Sequence, residues 1–289
     1  MTFLPDSTIA HLKDVAAWPE FTSDRYVVNE PIGRGGMGVV YAARDTALER
    51  DVAIKVGARL TSEARLLARL EHPGIVPVHD YGVLADGRPF YVMKRVNGQT
   101  LDALLRSAPP LAERLRVFER VCEAVSFAHA HGVLHRDLTL ANIMSGSFGE
   151  VMVMDFGVAA LLSSGGEPGV VLGTRGFMPP EQEGGGAVDE RADVYALGAV
   201  LGAMLDPASP SPLRSIARRA MQANRDLRYA SVAALSDDVR RFRAGDAVHA
   251  HRETAIERAA RFGRRYQVPI LLVLAYSVMR ALIASFTGM

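Results

Sequence analysis

An α+β chain of two unequal lobes, closed by an apolar C-terminal helix, is predicted from three observations. Residues 26–96 alternate β-branched and aromatic runs with turn residues, as a strand-rich lobe does. Residues 97–243 carry apolar positions at helical spacing, as a larger helical lobe does. From Val268 to Phe286 the sequence VPILLVLAYSVMRALIASF is almost wholly apolar. With 289 residues, 49% of them hydrophobic, the chain can fill a core shared by two lobes. The formal charge of +1 gives no reason to propose a nucleic-acid partner. Cys122 is the single cysteine, so the chain has no internal disulfide; in VFERVCEAVSFAHA it reads as a small core residue.

Residues 1–25 read as an N-terminal extension, with Asp6 or Ser7 capping a short helix that presents Ile9, Leu12 and Val15 on one face. The extension lacks the basic start and apolar run of a signal peptide. Strands are predicted in YVVNEPIG, GVVYAARD, DVAIKVG, IVPVHDYGVL and RPFYVMKRV, with ADG at 85–87 as a hairpin turn. One helix breaks the series, TSEARLLARLEH over 61–72, with Leu66, Leu67 and Leu70 on one side. The hinge between lobes falls at Lys94–Gly98. Beyond it, helices are predicted in TLDALLRS, AERLRVFERVCEAVSFAHAHG, DVYALGAVLGAML, LRSIARRAMQAN and VAALSDDVRRFRAG. SSGGEPG and EGGGAV read as loops.

Residues 244–267 form a basic segment containing Arg258, Arg261, Arg264 and Arg265, and 268–288 form the apolar helix. Its length suits a bilayer core of about 30 Å. Arg280 interrupts it, but lies toward its C-terminal end and can reach the interface. The arginines before it would hold the preceding lobes on the cytoplasmic side of an inner or plasma membrane, as a single-pass protein. The alternative is an apolar helix docked on the lobes or at a dimer contact.

The residues that carry chemistry follow one another along the chain. Gly33, Gly35 and Gly38 in GRGGMG stand between two strands, where glycine lets backbone amides approach phosphate. A strand, not a helix, follows, which favours a hairpin flap over a nucleotide and disfavours a dinucleotide fold. Lys55 ends DVAIK and can neutralise phosphate charge if a carboxylate orients it, with Glu63 as the candidate. In HRDLTLAN, Asp137 stands five residues before Asn142 and beside Arg136. That spacing lets an acid accept a hydroxyl proton while a carboxamide holds magnesium against a nucleotide phosphate. Asp155 in VMVMDFGV adds a second hard oxygen ligand. Two ligands make an incomplete cage, so the metal is expected to arrive with the nucleotide. Thr174 and Glu181 bracket GTRGFMPPEQ, Asp193 opens DVYALG, and Arg228 lies in NRDLRY. Singly, each of these four is a common structural residue.

Taken in order, these motifs resemble a eukaryotic-like (Hanks-type) bacterial serine/threonine protein kinase from about Tyr26 to Arg243. The resemblance implies a bilobal kinase fold, an N-lobe with its C-helix and a helical C-lobe, acting with ATP and Mg2+ on protein hydroxyls. It assigns Asp137 as catalytic base, Arg136 as its basic neighbour, and Asn142 and Asp155 as magnesium ligands. Lys55 would pair with ATP phosphates and with Glu63. The flap Ile32, Gly33, Arg34, Gly35, Gly36, Met37, Gly38, Val39 and Val40 would cover the phosphates. Met93 would be the gatekeeper, the Lys94 carbonyl and Val96 amide would bind the adenine edge, and Ala53, Val40 and Met144 would enclose the ring. Thr174 would hydrogen-bond Asp137. Leu67, His135 and Phe156 would form a hydrophobic spine anchored by Asp193, and Glu181 with Arg228 a buried ion pair. Self-phosphorylation would fall on Ser163 or Ser164, with Arg136 receiving the phosphate.

The chain also departs from that family. Thr139 replaces the lysine that contacts the γ-phosphate, and Pro179 the alanine before Pro-Glu. Only seven residues separate Lys55 from Glu63, which predicts a C-helix without its first turn and held less firmly. DPASPSP leads straight into LRSIARRAM, so a substrate-side helix is nearly absent. These departures keep open a pseudokinase, a nucleotide-binding scaffold that signals by binding. A small-molecule phosphotransferase fits less well, because PPE and DVYALG are present.

Overall fold

β-branched and aromatic residues at period two build the first lobe. The computed structural model describes residues 18–21, 24–35, 38–58, 60–156, 174–266 and 271–280. Five antiparallel strands, β1 (Tyr26–Gly35), β2 (Gly38–Asp45), β3 (Arg50–Val56), β4 (Val78–Val83) and β5 (Pro89–Lys94), form a sheet in the order β1-β2-β3-β5-β4. Alternation along β3 and β5 divides their side chains between two cores. Val52, Ile54, Phe90 and Val92 join Tyr26 and Tyr41 on one face. Ala53, Tyr91 and Met93 join the core that continues into the second lobe. Lys55 belongs by alternation to this second face, so the strand delivers it inward, at 5% exposure.

Helix α1 (Thr61–Leu67) packs on that face. The helix expected over 61–72 stops at Leu67. Arg69 and Leu70 donate to Leu66 and Leu67 in the tighter i→i−3 pattern, which carries Leu70 into the core. Pro73 then disfavours helical backbone at His72.

The second lobe begins with a small sheet of β6 (Gly98–Thr100), β7 (Ile143–Gly146) and β8 (Val151–Val153). Its helices are α2 (Leu101–Arg106), α3 (Leu111–Ala130), α4 (Pro180–Glu183), α5 (Glu190–Met204), α6 (Ser211–Ala220), α7 (Val232–Arg243) and α8 (Ala255–Arg265). α5 is apolar almost all round and lies at the centre. It starts one turn earlier than DVYALG, because the Asp189 side chain accepts the Arg191 amide as an N-cap. Asp193 therefore sits inside its first turn, fully buried. After Met204 the chain enters α6 directly, and Arg114 bonds the Met204 carbonyl and Asp206 to close that junction.

The lobes reach beyond 26–243 at both ends. Trp18 meets Tyr41 edge-on, and Phe21 meets Phe90 at 4.8 Å, so the end of the N-terminal extension packs on the sheet. Residues 1–17, with the expected cap at Asp6 or Ser7, lie outside the described residues. Past Arg243, Val248 is buried, and Asp238 gathers the Tyr229 hydroxyl, the His249 amide and ring, and the Ala250 amide at 2.8–3.0 Å. The first part of the basic segment is thus folded onto the C-lobe. Residues 271–280 are helical, with exposed apolar side chains from Leu271 to Met279. Among the described residues no helix is long and apolar enough to cross a membrane.

Burial pushes the Asp238 carboxyl up, but four hydrogen bonds outweigh burial and hold it below the usual range. A carboxylate depressed in the folded state stabilises above its unfolded pKa and loses that contribution as pH falls through the folded value. Asp238→Ala is expected to cost about 3 kcal/mol in urea unfolding at pH 7. The gap from wild type should shrink below about pH 4. A constant gap at all pH values would refute this role for the charge.

Candidate active site

Position 55 is one of three lysines among the 33 Lys and Arg residues; the others are Lys13 and Lys94. A compact ammonium suits a tight pocket better than a guanidinium fork does. Lys55 Nζ donates to Glu63 Oε1 at 2.9 Å, to Glu63 Oε2 at 3.1 Å and to Asp155 Oδ1 at 3.0 Å. Burial opposes its charge, but the two carboxylates outweigh burial and raise its pKa. Glu63, 1% exposed, is also raised: burial comes first, Asp155 adds to it, and Lys55 only partly offsets them. One ammonium among two carboxylates leaves the cluster short of positive charge.

The short link to Glu63 does not loosen the helix as expected. The Tyr91 hydroxyl donates to Glu63 Oε1 at 2.9 Å, and Thr61 Oγ1 meets the Tyr81 hydroxyl at 2.7 Å. No sequence motif marks either tyrosine. Tyr91 lies opposite Lys55 in the β3–β5 pair, and only the strand register exposes that relation.

The loop after α3 is held from below by Asp193. Its carboxylate accepts the His135 and Arg136 amides at 2.8 Å each and meets His129 Nε2 at 2.7 Å. Burial raises this carboxyl, but His129 and the loop amides bring it below the ordinary value. His129, on α3, carries no motif either; it reads as an ordinary buried helix residue until α5 is placed beside it. Arg136 takes φ 66°, a left-handed conformation. Such backbone costs roughly 1–3 kcal/mol and persists where surrounding bonds enforce it. Asp155, at φ 63°, is a second case.

Asn142 Nδ2 donates to the Asp137 carbonyl at 2.8 Å, which uses the donor end of the amide and reserves its oxygen, the end with metal affinity. The Met154 amide donates to the Asn142 carbonyl at 2.9 Å and draws Asp155 beside Asn142. An amide oxygen and a carboxylate are hard donors that would suit magnesium. Thr174 donates both its amide and its hydroxyl to Asp137 Oδ1 at 3.0 Å. Thr139 is 5% exposed and brings no charge to the loop. The His135 ring meets Phe156 at a tilt, centroids 4.5 Å apart, and Phe156 shares a core with Leu67. Burial lowers the Arg136 guanidinium pKa, and its buried Nε has no hydrogen-bond partner among the described residues. Ser163 and Ser164 lie outside those residues.

The flap is the β1–β2 hairpin, with Gly33 opposite Val40 and Gly35 opposite Gly38; Gly36 and Met37 lie outside the described residues. Gly38 has φ 145°, and a Cβ there would stand 2.2 Å from the Val56 carbonyl oxygen. Only glycine allows that approach. Ile32 and Arg34 are exposed on β1, and Val39 is buried on β2. Val40 pairs with Lys55 and Ala53 with Met93, which lines one wall of the cleft beside the lysine. Lys94 ends β5, Val96 follows in the hinge, and Met144 lies on β7 opposite Thr100.

A strand lobe and a helical lobe closed on a lysine, two hard-oxygen side chains and a tethered acid form the architecture of protein kinases. Residues 26–244 match the protein kinase domain family. The chain is 35% identical over 278 residues to serine/threonine-protein kinase PknB of Mycolicibacterium smegmatis, covering 79% of this chain and 44% of that protein. It is 43% identical over 193 residues to the DNA damage-responsive serine/threonine-protein kinase RqkA of Deinococcus radiodurans, covering 61% of this chain and 29% of that one. The PknI kinase domain of Mycobacterium tuberculosis superposes with TM-score 0.61 at 26% identity, over 78% of this chain and 99% of that domain. The chain belongs to the protein kinase domain family, in its bacterial serine/threonine (Hanks-type) branch. It spans less than half the length of these two curated relatives.

Below the cleft, Arg228 Nη1 and Nη2 reach Glu181 at 2.6 and 2.8 Å, and Arg228 also bonds the Gln222, Arg191 and Ala223 carbonyls. Removing one member strands the other charge. Glu181→Ala is expected to lose about 3–5 kcal/mol in chemical denaturation. A loss under about 1 kcal/mol would place the pair with weak surface bridges.

Proposed function

We propose that the chain is an ATP-dependent protein serine/threonine kinase that transfers the γ-phosphoryl group to protein hydroxyls, itself included. The observation that carries this reading is the closed Lys55–Glu63 pair beside Asp155, across the cleft from an Asp137 already held by Thr174. Bound ATP with Mg2+ supplies the phosphoryl group and most of the charge neutralisation. Lys55, held by Glu63, would take the α- and β-phosphates. Asn142 and Asp155 would hold the metal, Asp155 turning from the lysine to do so. The flap from Ile32 to Val40 would cover the phosphates. Ala53, Val40, Met93 and Met144 would enclose the adenine, and the Lys94 carbonyl and Val96 amide would bind its edge.

Asp137 orients the acceptor hydroxyl and takes its proton at a carboxylate oxygen, while Thr174 fixes the carboxylate's direction. The relatives' names as serine/threonine kinases support the acceptor class. Thr139 removes a cation that would stabilise transferring charge, so the rate is expected to be modest and the reaction unchanged. Among the described residues the Nε of Arg136 has no partner, which fits an anion supplied by the segment that contains Ser163 and Ser164.

We also infer that residues 26–96 and 97–243 serve as nucleotide and substrate lobes, with 244–267 as a juxtamembrane connection and 268–288 as a single membrane span. The kinase lobes would then face the cytoplasm of an inner or plasma membrane. Support comes from the apolar length, the arginines before it and the exposed apolar helix at 271–280.

With radiolabelled ATP and a generic protein acceptor, Asp137→Asn is expected to cut transfer by about 10²–10⁴-fold. Self-incorporated label should map to Ser163 or Ser164. Equal label in wild type and variant would reject the kinase reading in favour of a nucleotide-binding scaffold. Truncation after Tyr266 should move the protein from the membrane pellet to the soluble fraction; a truncated chain that still pellets would exclude the span as anchor.

A further inference from the structure

Tyr81 and Tyr91 stand directly opposite each other in the β4–β5 pair, on the sheet face that receives α1. Each contacts one residue of the helix's first turn. The Tyr81 hydroxyl meets Thr61 Oγ1 at 2.7 Å, and the Tyr91 hydroxyl donates to Glu63 Oε1 at 2.9 Å. The same Glu63 oxygen accepts Lys55 Nζ at 2.9 Å. Two donors on one oxygen and a third contact at Oε2 fix both the position and the plane of the carboxylate. Tyr91 is 1% exposed, and burial together with the neighbouring Glu63 keeps its phenol well above the usual pKa, so it remains a donor.

Helix α1 needs such support. It has seven residues, shorter than any helix stable by propensity alone, and Leu60 at its N-cap makes no side-chain cap bond. The sheet supplies what the helix lacks.

We propose that Tyr91 is a positioning residue of the phosphoryl-transfer site: its hydroxyl orients Glu63, and through Glu63 it fixes the Lys55 ammonium, with Tyr81 holding the helix start. This rests on the kinase reading for its consequence in catalysis, but its geometry acts on nucleotide binding first. The paired tyrosines keep α1 against the sheet, so the lysine–glutamate pair is closed as a property of the fold.

The test compares wild type, Tyr91→Phe, Glu63→Ala and the double variant by MgATP affinity in calorimetry, phosphoryl transfer from pH 5.5 to 8.5, and thermal melting. Tyr91→Phe is expected to weaken MgATP affinity and kcat/KM about tenfold, the size of a lost hydrogen bond to a charged group. On the Glu63→Ala background the same change should have no further effect, because the acceptor is gone. The acid limb of the pH profile should move to higher pH in Tyr91→Phe, since the lost bond favoured ionised Glu63. A tyrosine that only packs would lower the melting temperature, leave the acid limb in place and act equally on both backgrounds; that result overturns the proposal. If Tyr91→Phe does not fold, Tyr81→Phe, which loses only the half-exposed Thr61 contact, carries the test. It should lower kcat/KM roughly threefold, and an unchanged value counts against the clasp. A wild-type chain that binds MgATP without transferring phosphoryl overturns the kinase reading alone, and Tyr91 is then judged on affinity across the same two backgrounds.

Discussion

A single ammonium with almost no access to water organises this molecule. Lys55 cannot keep its charge at 5% exposure unless carboxylates meet it there. They come from different places: Glu63 from the helix against the sheet, Asp155 from the end of β8 in the other lobe. Satisfying one buried charge therefore docks α1, aligns the lobes and sets the depth of the cleft. The excess of carboxylate left around the lysine would suit the proposed magnesium-bound nucleotide, with Asp155 free to serve the metal and Lys55 to meet phosphate oxygens in its place.

The larger lobe repeats the device with charges of both signs. Asp193 is a buried anion whose partners are two loop amides and a histidine, and they give the loop carrying Asp137 a rigid floor. Arg228 is a buried cation that collects Glu181 and three carbonyls. In each case the cost of an unpaired buried charge ties a segment without regular structure to a helix that cannot move far. Positive φ at Arg136 and Asp155 shows where this bracing holds backbone in conformations it would otherwise leave.

Against this frame the shortened parts of the chain are easier to understand. The seven-residue α1 lacks length, yet it is held at both Thr61 and Glu63 by neighbouring strands. The missing helix after Met204 leaves a junction closed by Arg114. Thr139 is different, because nothing in the described structure replaces its missing charge. The deletions were absorbed by local contacts, whereas the charge change stays in the cleft.

The order of motifs along the chain determined the fold and the placement of the strand and helical lobes, and it singled out the residues proposed to meet phosphate, metal and hydroxyl. Those features are local: a strand period, a glycine turn, an acid five residues from a carboxamide. Tertiary structure decided what is non-local. The end of α1 at Leu67 reflects the path of Leu70 into the core, which helical periodicity does not encode. Tyr91 and His129 became site residues only when strand register and helix packing brought them to Glu63 and Asp193, 28 and 64 residues away. The C-lobe runs past Arg243 because a buried Asp238 captures amides 11 and 12 residues later. A hydrogen bond between distant residues depends on the whole chain's path, and so the sequence names the chemistry while the folded structure selects the side chains that hold it in place.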